Sequence, residues 1–126
     1  MLELLHIENI AIIERADISF RPGFNVLTGE TGAGKSIVID ALSAVLGQRA
    51  SRDLIRTGAD KAYVSACFTG IPPEVGEDLG IPWDAQLLLQ RAIPAHGTNV
   101  CRVGSRPVTV TPLRTLARRL PTLNGH

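Results

Sequence analysis

Apolar and polar positions change period along this chain, and the changes divide it into elements. The stretch Lys61-Ala62-Tyr63-Val64-Ser65-Ala66-Cys67-Phe68 alternates cleanly and predicts a half-buried strand. Over 2–13 the alternation is imperfect: Leu4, His6, Glu8 and Ile10 share one phase, and Leu5, Ile7 and Asn9 the other. Together with Ile12-Ile13 and Ala16-Asp17-Ile18-Ser19-Phe20, this region predicts two antiparallel strands. Arg21-Pro22-Gly23 reads as a turn, because proline presets φ and glycine accepts positive φ. Phe24-Asn25-Val26-Leu27-Thr28 follows as a buried strand. Ile37-Val38-Ile39-Asp40-Ala41-Leu42-Ser43-Ala44-Val45-Leu46 then reads as a helix with Gly47 as its stop.

The second half carries shorter signals. Residues 48–60 form a polar connector with room for one helical turn, and residues 70–86, rich in Pro, Gly and acid, a surface loop pinned by Trp83. Residues 87–93 and 99–103 predict a hairpin across Pro94-Ala95-His96-Gly97-Thr98, with His96 a turn residue. Val108-Thr109-Val110 predicts a further short strand. Thr111 is placed to cap a helix with Pro112 at its first position. There Leu113, Leu116, Ala117 and Leu120 recur at helical spacing, leaving Arg114, Arg118 and Arg119 mostly exposed, until Pro121 ends the helix. Hairpin and Arg-rich helix together occupy 87–120. Strand and helix alternate only once, so the expected α/β fold is a mixed, largely antiparallel sheet rather than a doubly wound one.

Between the strand at 24–28 and the helix stands Gly29-Glu30-Thr31-Gly32-Ala33-Gly34-Lys35-Ser36, which fits the phosphate-binding pattern G-x-x-x-x-G-K-[ST]. Phosphate oxygens need several donors converging on a concave surface, and backbone N–H groups supply them only where the chain bends tightly. Glycines at 29, 32 and 34 allow that bend and leave no Cβ in the way. A helix starting near Lys35 would aim its unpaired amides and positive dipole end at the same anion. Lys35 would reach the β- and γ-phosphates of ATP, and the Ser36 hydroxyl would ligate Mg²⁺. Strand, glycine loop and helix stand in the order that such a site requires.

Composition adds bounds. The 126 residues make one modest domain or a piece of one, 44% apolar and 4% aromatic, so the core must be aliphatic. No apolar run reaches membrane-spanning length and no charged stretch precedes an apolar one at the start, which predicts a cytoplasmic chain without a membrane partner. Cys67 and Cys101 are far apart and lack metal-ligand spacing, so both are expected as reduced thiols. The net charge of +1 hides an asymmetry: every carboxylate lies at or before Asp84, and beyond it come Arg91, Arg102, Arg106, Arg114, Arg118 and Arg119. Such a segment wants an anionic partner, either nucleic acid or an acidic protein surface.

The wording of the loop and its flanks, with Leu4-Leu5-His6-Ile7-Glu8-Asn9-Ile10-Ala11-Ile12-Ile13-Glu14, Leu46-Gly47-Gln48-Arg49-Ala50 and Ile55-Arg56-Thr57-Gly58, resembles the N-terminal part of the RecN family of bacterial DNA-repair proteins. These are relatives of SMC proteins with an ABC-type ATPase head. Agreement is dense to about Phe68 and looser through Arg102-Val103-Gly104-Ser105-Arg106-Pro107-Val108-Thr109. The resemblance implies the N-terminal lobe of such a head, with the coiled coil and the C-terminal lobe lying outside these residues. That other lobe would bring the signature motif, the Walker B carboxylate and the switch histidine; no heptad run and no apolar strand ending in Asp-Glu occurs here. A family glutamine would fall near Asn124-Gly125-His126, at His126, so its role is not assigned. The implied partners are the C-terminal lobe, a second head and DNA, on the nucleoid. ATP would drive head dimerisation on DNA during double-strand-break repair and recombination, with negligible turnover by this stretch alone, since Glu30 and Asp40 are poorly placed to polarise water. Two other readings compete: a self-contained small P-loop NTPase or kinase, and an Arg-rich DNA-binding module without catalysis.

Overall fold

The computed structural model describes residues 2–20, 32–70, 74 and 86–118, with only the backbone at 32–35. The expected turn at 21–23, the strand at 24–28, Trp83 and everything from Arg119 onward lie outside the described residues, as does the 70–86 loop apart from Gly70, Glu74 and Gln86. Six strands run β1 (Leu2–Ile10), β2 (Ile13–Ser19), β3 (Lys61–Thr69), β4 (Gln86–Pro94), β5 (Val100–Val103) and β6 (Arg106–Val108). They form one sheet in the order β2-β1-β3-β4-β5-β6, with every described pairing antiparallel. Helices α1 (Gly32–Val45) and α2 (Val110–Ala117) join one continuous core with one face of this sheet.

Clean alternation makes β3 regular: Ala62, Val64, Ala66 and Phe68 point into the core while the residues between them are half-buried. Strand β1 alternates imperfectly because it is irregular. The register against β3 shifts between Leu2 and Leu4, so Leu2, Leu5 and Ile7 all reach the core. At its other end Asn9 and Ala11 adopt positive φ, 55° and 53°, a costly conformation for side chains with a Cβ. The neighbouring connector holds them there. The Ala11 amide donates to the Leu54 carbonyl at 2.7 Å and the Arg56 amide to the Asn9 carbonyl at 2.8 Å.

Two sequence expectations need correction, and a third is made specific. Residues 108–110 are not a strand: β6 ends at Val108 and Val110 already belongs to α2. The N-cap of α2 is therefore Thr109, not Thr111, and its side chain makes no capping bond. Pro112 sits inside the first turn, where its missing N–H costs nothing because that N–H would have no helical partner anyway. The expected helical turn in the connector is a 3₁₀ turn at Arg52–Leu54, capped by the Ser51 hydroxyl.

The opposite sheet face is polar near its β2 edge. Cross-strand pairing puts Asp17 and Ser65 on either side of His6. The imidazole lies between two carboxylates, Nε2 at 2.6 Å from Glu8 and Nδ1 at 2.5 Å from Asp17, and its edge meets Tyr63. Tyr63 donates to Gln90, whose amide donates to the Gly104 carbonyl, so hydrogen bonding continues across β3 and β4. The Glu8 hydrogen bond raises the His6 pKa above its ordinary 6.5, partial burial opposes it, and Asp17 adds to the rise.

Because the folded pKa exceeds the unfolded one, the native state holds this proton more tightly. The contribution is complete below about pH 6.5 and is lost as pH rises through the folded value. Urea midpoints across pH 5.5–8 are expected to fall more steeply for the native sequence than for His6→Gln, and an NMR titration of His6 should give a midpoint above 6.5. Equal pH slopes in the two proteins would refute the assignment.

Candidate nucleotide site

Helix α1 starts earlier than its apolar pattern suggests. It begins at Gly32, so Gly32, Ala33, Gly34 and Lys35 form its first turn and Ser36 follows on helical backbone. Gly29, Glu30 and Thr31 lie outside the described residues. Four amides at a helix start have no partner inside the helix, and no acidic residue occupies the first turn to neutralise that end. Ser36 is exposed and thus free to face a ligand. Val38, Ala41, Leu42 and Val45 recur at helical spacing and are buried, while Ile39 and Asp40 face outward. The helix is therefore anchored along one side, with its glycine-bearing start leading away from the packed stripe.

The far end of α1 closes in a Schellman motif. The Gln48 amide donates to the Ser43 carbonyl at 3.1 Å, and the Gly47 amide to Ala44 at 3.0 Å, with Gly47 at φ 89°. No basic residue stands in the helix's own last turn. The cations come from elsewhere. Arg91 of β4 donates through one terminal nitrogen to the Ala44 carbonyl at 2.8 Å and the Gln48 carbonyl at 2.6 Å, and its Nε donates to Asn99 Oδ1 at 2.9 Å. Arg114 of α2 donates to the Gly47 carbonyl at 3.0 Å.

This revises the reading of the arginine-rich half. Arg91 is 4% exposed because Leu87, Leu89 and Ile93 share its phase on β4 and carry it into the core. Burial, and then the nearby Arg114 cation, pull its pKa below the ordinary value, with the Cys101 thiol acting against them; a guanidinium still stays charged. Arg114, expected on the exposed side, is half-buried and bonded to α1. Arg102 and Arg118 do face solvent. Cys67 and Cys101 are both free thiols, and burial pushes each pKa up, away from the thiolate form. His96 is exposed in the β4–β5 turn, as expected. The inward role of Arg91 had one faint signal, a leucine-rich phase that includes an arginine.

Comparison with known proteins places the chain. The sequence profile of the AAA domain matches residues 4–73, more than half of its length. The chain belongs to the AAA-domain family. It is 41% identical, over its whole length, to the DNA repair protein RecN of Bacillus subtilis (strain 168), and 36% identical to RecN of Haemophilus influenzae (strain ATCC 51907 / DSM 11121 / KW20 / Rd). It spans 23% and 24% of those two proteins, about a quarter of each. A solved structure from work on ATP-driven dimerisation and DNA-stimulated activation of SMC ATPases superimposes with a TM-score of 0.72 at 28% identity, covering 95% of this chain and 81% of that one. The AAA-domain chain thus has the fold of a P-loop ATPase head, and among the described residues six strands form one antiparallel sheet. No described helix is long and apolar enough to cross a membrane.

A methyl group at Gly47 would lie 2.7 Å from the Arg114 backbone nitrogen, on a backbone that L side chains rarely adopt. Gly47→Ala is expected to cost about 2–4 kcal/mol, because backbone cannot step aside cheaply. Gly58→Ala is the control: the φ is similar, 88°, but nothing lies within 4 Å, so only the conformational cost of about 1 kcal/mol applies. Chemical denaturation of the two variants checks the difference, and equal losses would contradict it.

Proposed function

We propose that this chain is the nucleotide-binding lobe of a RecN-like ATPase head acting in DNA double-strand-break repair and recombination. The observation that carries the reading is the coincidence of Gly29-Glu30-Thr31-Gly32-Ala33-Gly34-Lys35-Ser36 with the acid-free start of α1. An anion with several oxygens fits there: amides without partners inside the helix and the positive end of the helix dipole favour it, and no carboxylate in the first turn repels it. The amides of the glycine loop would cradle the phosphates of ATP, Lys35 would pair with the β- and γ-phosphates, and exposed Ser36 would offer its hydroxyl to Mg²⁺. Magnesium, when bound, supplies positive charge against the phosphate oxygens.

Holding a triphosphate and cleaving it are separate tasks. Cleavage needs a carboxylate that orients water in line with the γ-phosphate. Asp40 faces solvent four residues beyond Ser36, on a helix anchored by its other side, and is badly placed for that work. On this reading the polarising carboxylate comes from a second lobe of the same protein. A second head would then close over ATP, and DNA would be the substrate of the assembly, in the bacterial cytoplasm at the nucleoid. The kinase and free-standing NTPase readings lack a second acidic motif after a strand. The reading as a plain Arg-rich DNA module is weakened by the inward use of Arg91 and Arg114.

Calorimetric titration with Mg–ATP-γ-S is expected to show binding by the native chain and a loss of at least about tenfold in Lys35→Ala, since a charge-assisted contact to phosphate is removed. Ser36→Ala should weaken the dependence on magnesium more than the binding of nucleotide alone. No heat in the native protein would sink the assignment. Steady ATP hydrolysis abolished by Lys35→Ala would instead contradict the division between holding and cleaving.

A further inference from the structure

We propose that Arg91 and Arg114 are positioning residues for the nucleotide, acting through α1: by fixing the C-terminal end of that helix they hold its phosphate-facing start in place. The proposal rests on the nucleotide reading above and adds residues from the opposite end of the helix, on β4 and α2.

Leverage is the first argument. A helix of 14 residues is about 21 Å long, so a pivot of roughly 3° at one end moves the other by about 1 Å. Displacements of that size matter where several amides must converge on one phosphate. The long side of α1 is held by Val38, Ala41, Leu42 and Val45, and apolar contacts tolerate small sliding. Directional hydrogen bonds at the far end do not. Arg91 reaches two carbonyls there while Asn99 Oδ1 fixes its Nε, so the guanidinium plane is set by three acceptors. Arg91 stands on a strand paired on both edges, with β3 and with β5, which ties the helix end to the middle of the sheet.

Arg114 supplies a second tie from a different element. Its Nε meets the Gly47 carbonyl, and its backbone nitrogen sits where a Cβ on Gly47 would collide. The end of α1 is therefore held against both the sheet and α2. A direct electrostatic route from these cations to the phosphates is weak, because Coulomb attraction falls with distance and the two lie about 21 Å apart. The influence is mechanical. Coupling between sites is reciprocal, so nucleotide bound at one end should quieten the other.

The test uses the whole 126-residue chain, titrated with Mg–ATP-γ-S, as the native sequence and as Arg114→Ala, Arg114→Lys and Arg91→Lys. Arg91→Lys replaces Arg91→Ala, which leaves buried carbonyls unpaired and endangers folding. Arg114→Ala is expected to stay folded, judged by circular dichroism and melting without nucleotide, yet to bind at least about fivefold more weakly. Arg114→Lys should recover part of the loss. In the native chain, nucleotide should slow amide exchange at Leu46, Gly47 and Gln48; in Arg114→Ala that slowing should shrink. Native-level affinity in folded Arg114→Ala and Arg91→Lys would overturn the proposal while leaving the nucleotide site intact. Absence of nucleotide binding by the native chain would overturn both. A lowered melting point with unchanged affinity would reduce the two arginines to props of the fold and reject their positioning role.

Discussion

Helix α1 has a C-terminal end with no cation of its own, and much of the fold is arranged to supply one. The last carbonyls of a helix carry partial negative charge and lack helical donors. A Schellman turn at Gly47 answers two of them, and the guanidinium groups of Arg91 and Arg114 answer Ala44, Gly47 and Gln48. A buried arginine is tolerable only when its donors are matched, because an unpaired buried charge is among the most expensive defects a core can contain. Arg91 meets that condition with three acceptors, so β4 can carry an arginine in the same inward phase as Leu87, Leu89 and Ile93. The glycine at position 47 follows from the same arrangement, since α2 packs too close there for any side chain.

The sheet divides its labour by face. One side holds the aliphatic core under α1 and α2; the other carries the His6, Glu8 and Asp17 group beside Tyr63 and Gln90. A histidine between two carboxylates joins β1 to β2 through charge rather than through buried apolar area. This matters because β2 is an edge strand whose residues are all exposed or half-buried. The turn that links these strands is likewise held from outside, through Leu54 and Arg56 of the connector. Local conformations that would be costly alone persist because segments distant in sequence hydrogen-bond to them.

Much of this was legible in the sequence, and the limits have physical causes. The strands at 61–69, 86–94 and 100–103 could be read because alternation is a local signal, and the glycine loop because its spacing encodes a local bend. The start of α1 was placed three residues late, since its first turn has no apolar face to betray it. Thr109 was passed over as N-cap because its side chain makes no capping bond, while Thr111-Pro112 carries the stronger local signature. The charge asymmetry counts Arg91 and Arg114 among cations that want an anionic partner, and helical spacing puts Arg114 on the exposed side, whereas their acceptors are backbone carbonyls 43 to 67 residues away in sequence. No composition argument can see a carbonyl, because every residue has one.

The two ends of α1 are opposites, and that asymmetry favours an anion site over the bland reading of a glycine-rich turn. If the helix served only to cover the sheet, both ends would be expected to carry complementary charge from nearby residues, as ordinary capping supplies. Here the C-terminal end draws cations from two other elements, yet the N-terminal turn has two glycines, no acid and an exposed serine just beyond it. Glycine in a first turn weakens a helix relative to alanine by up to about 1 kcal/mol per position. A sequence that accepts this cost at Gly32 and Gly34, while tying down the other end with arginines, is consistent with the proposal that the start of the helix faces a ligand. On the proposed reading, a polyphosphate would supply negative charge and acceptors to that end of the helix at once.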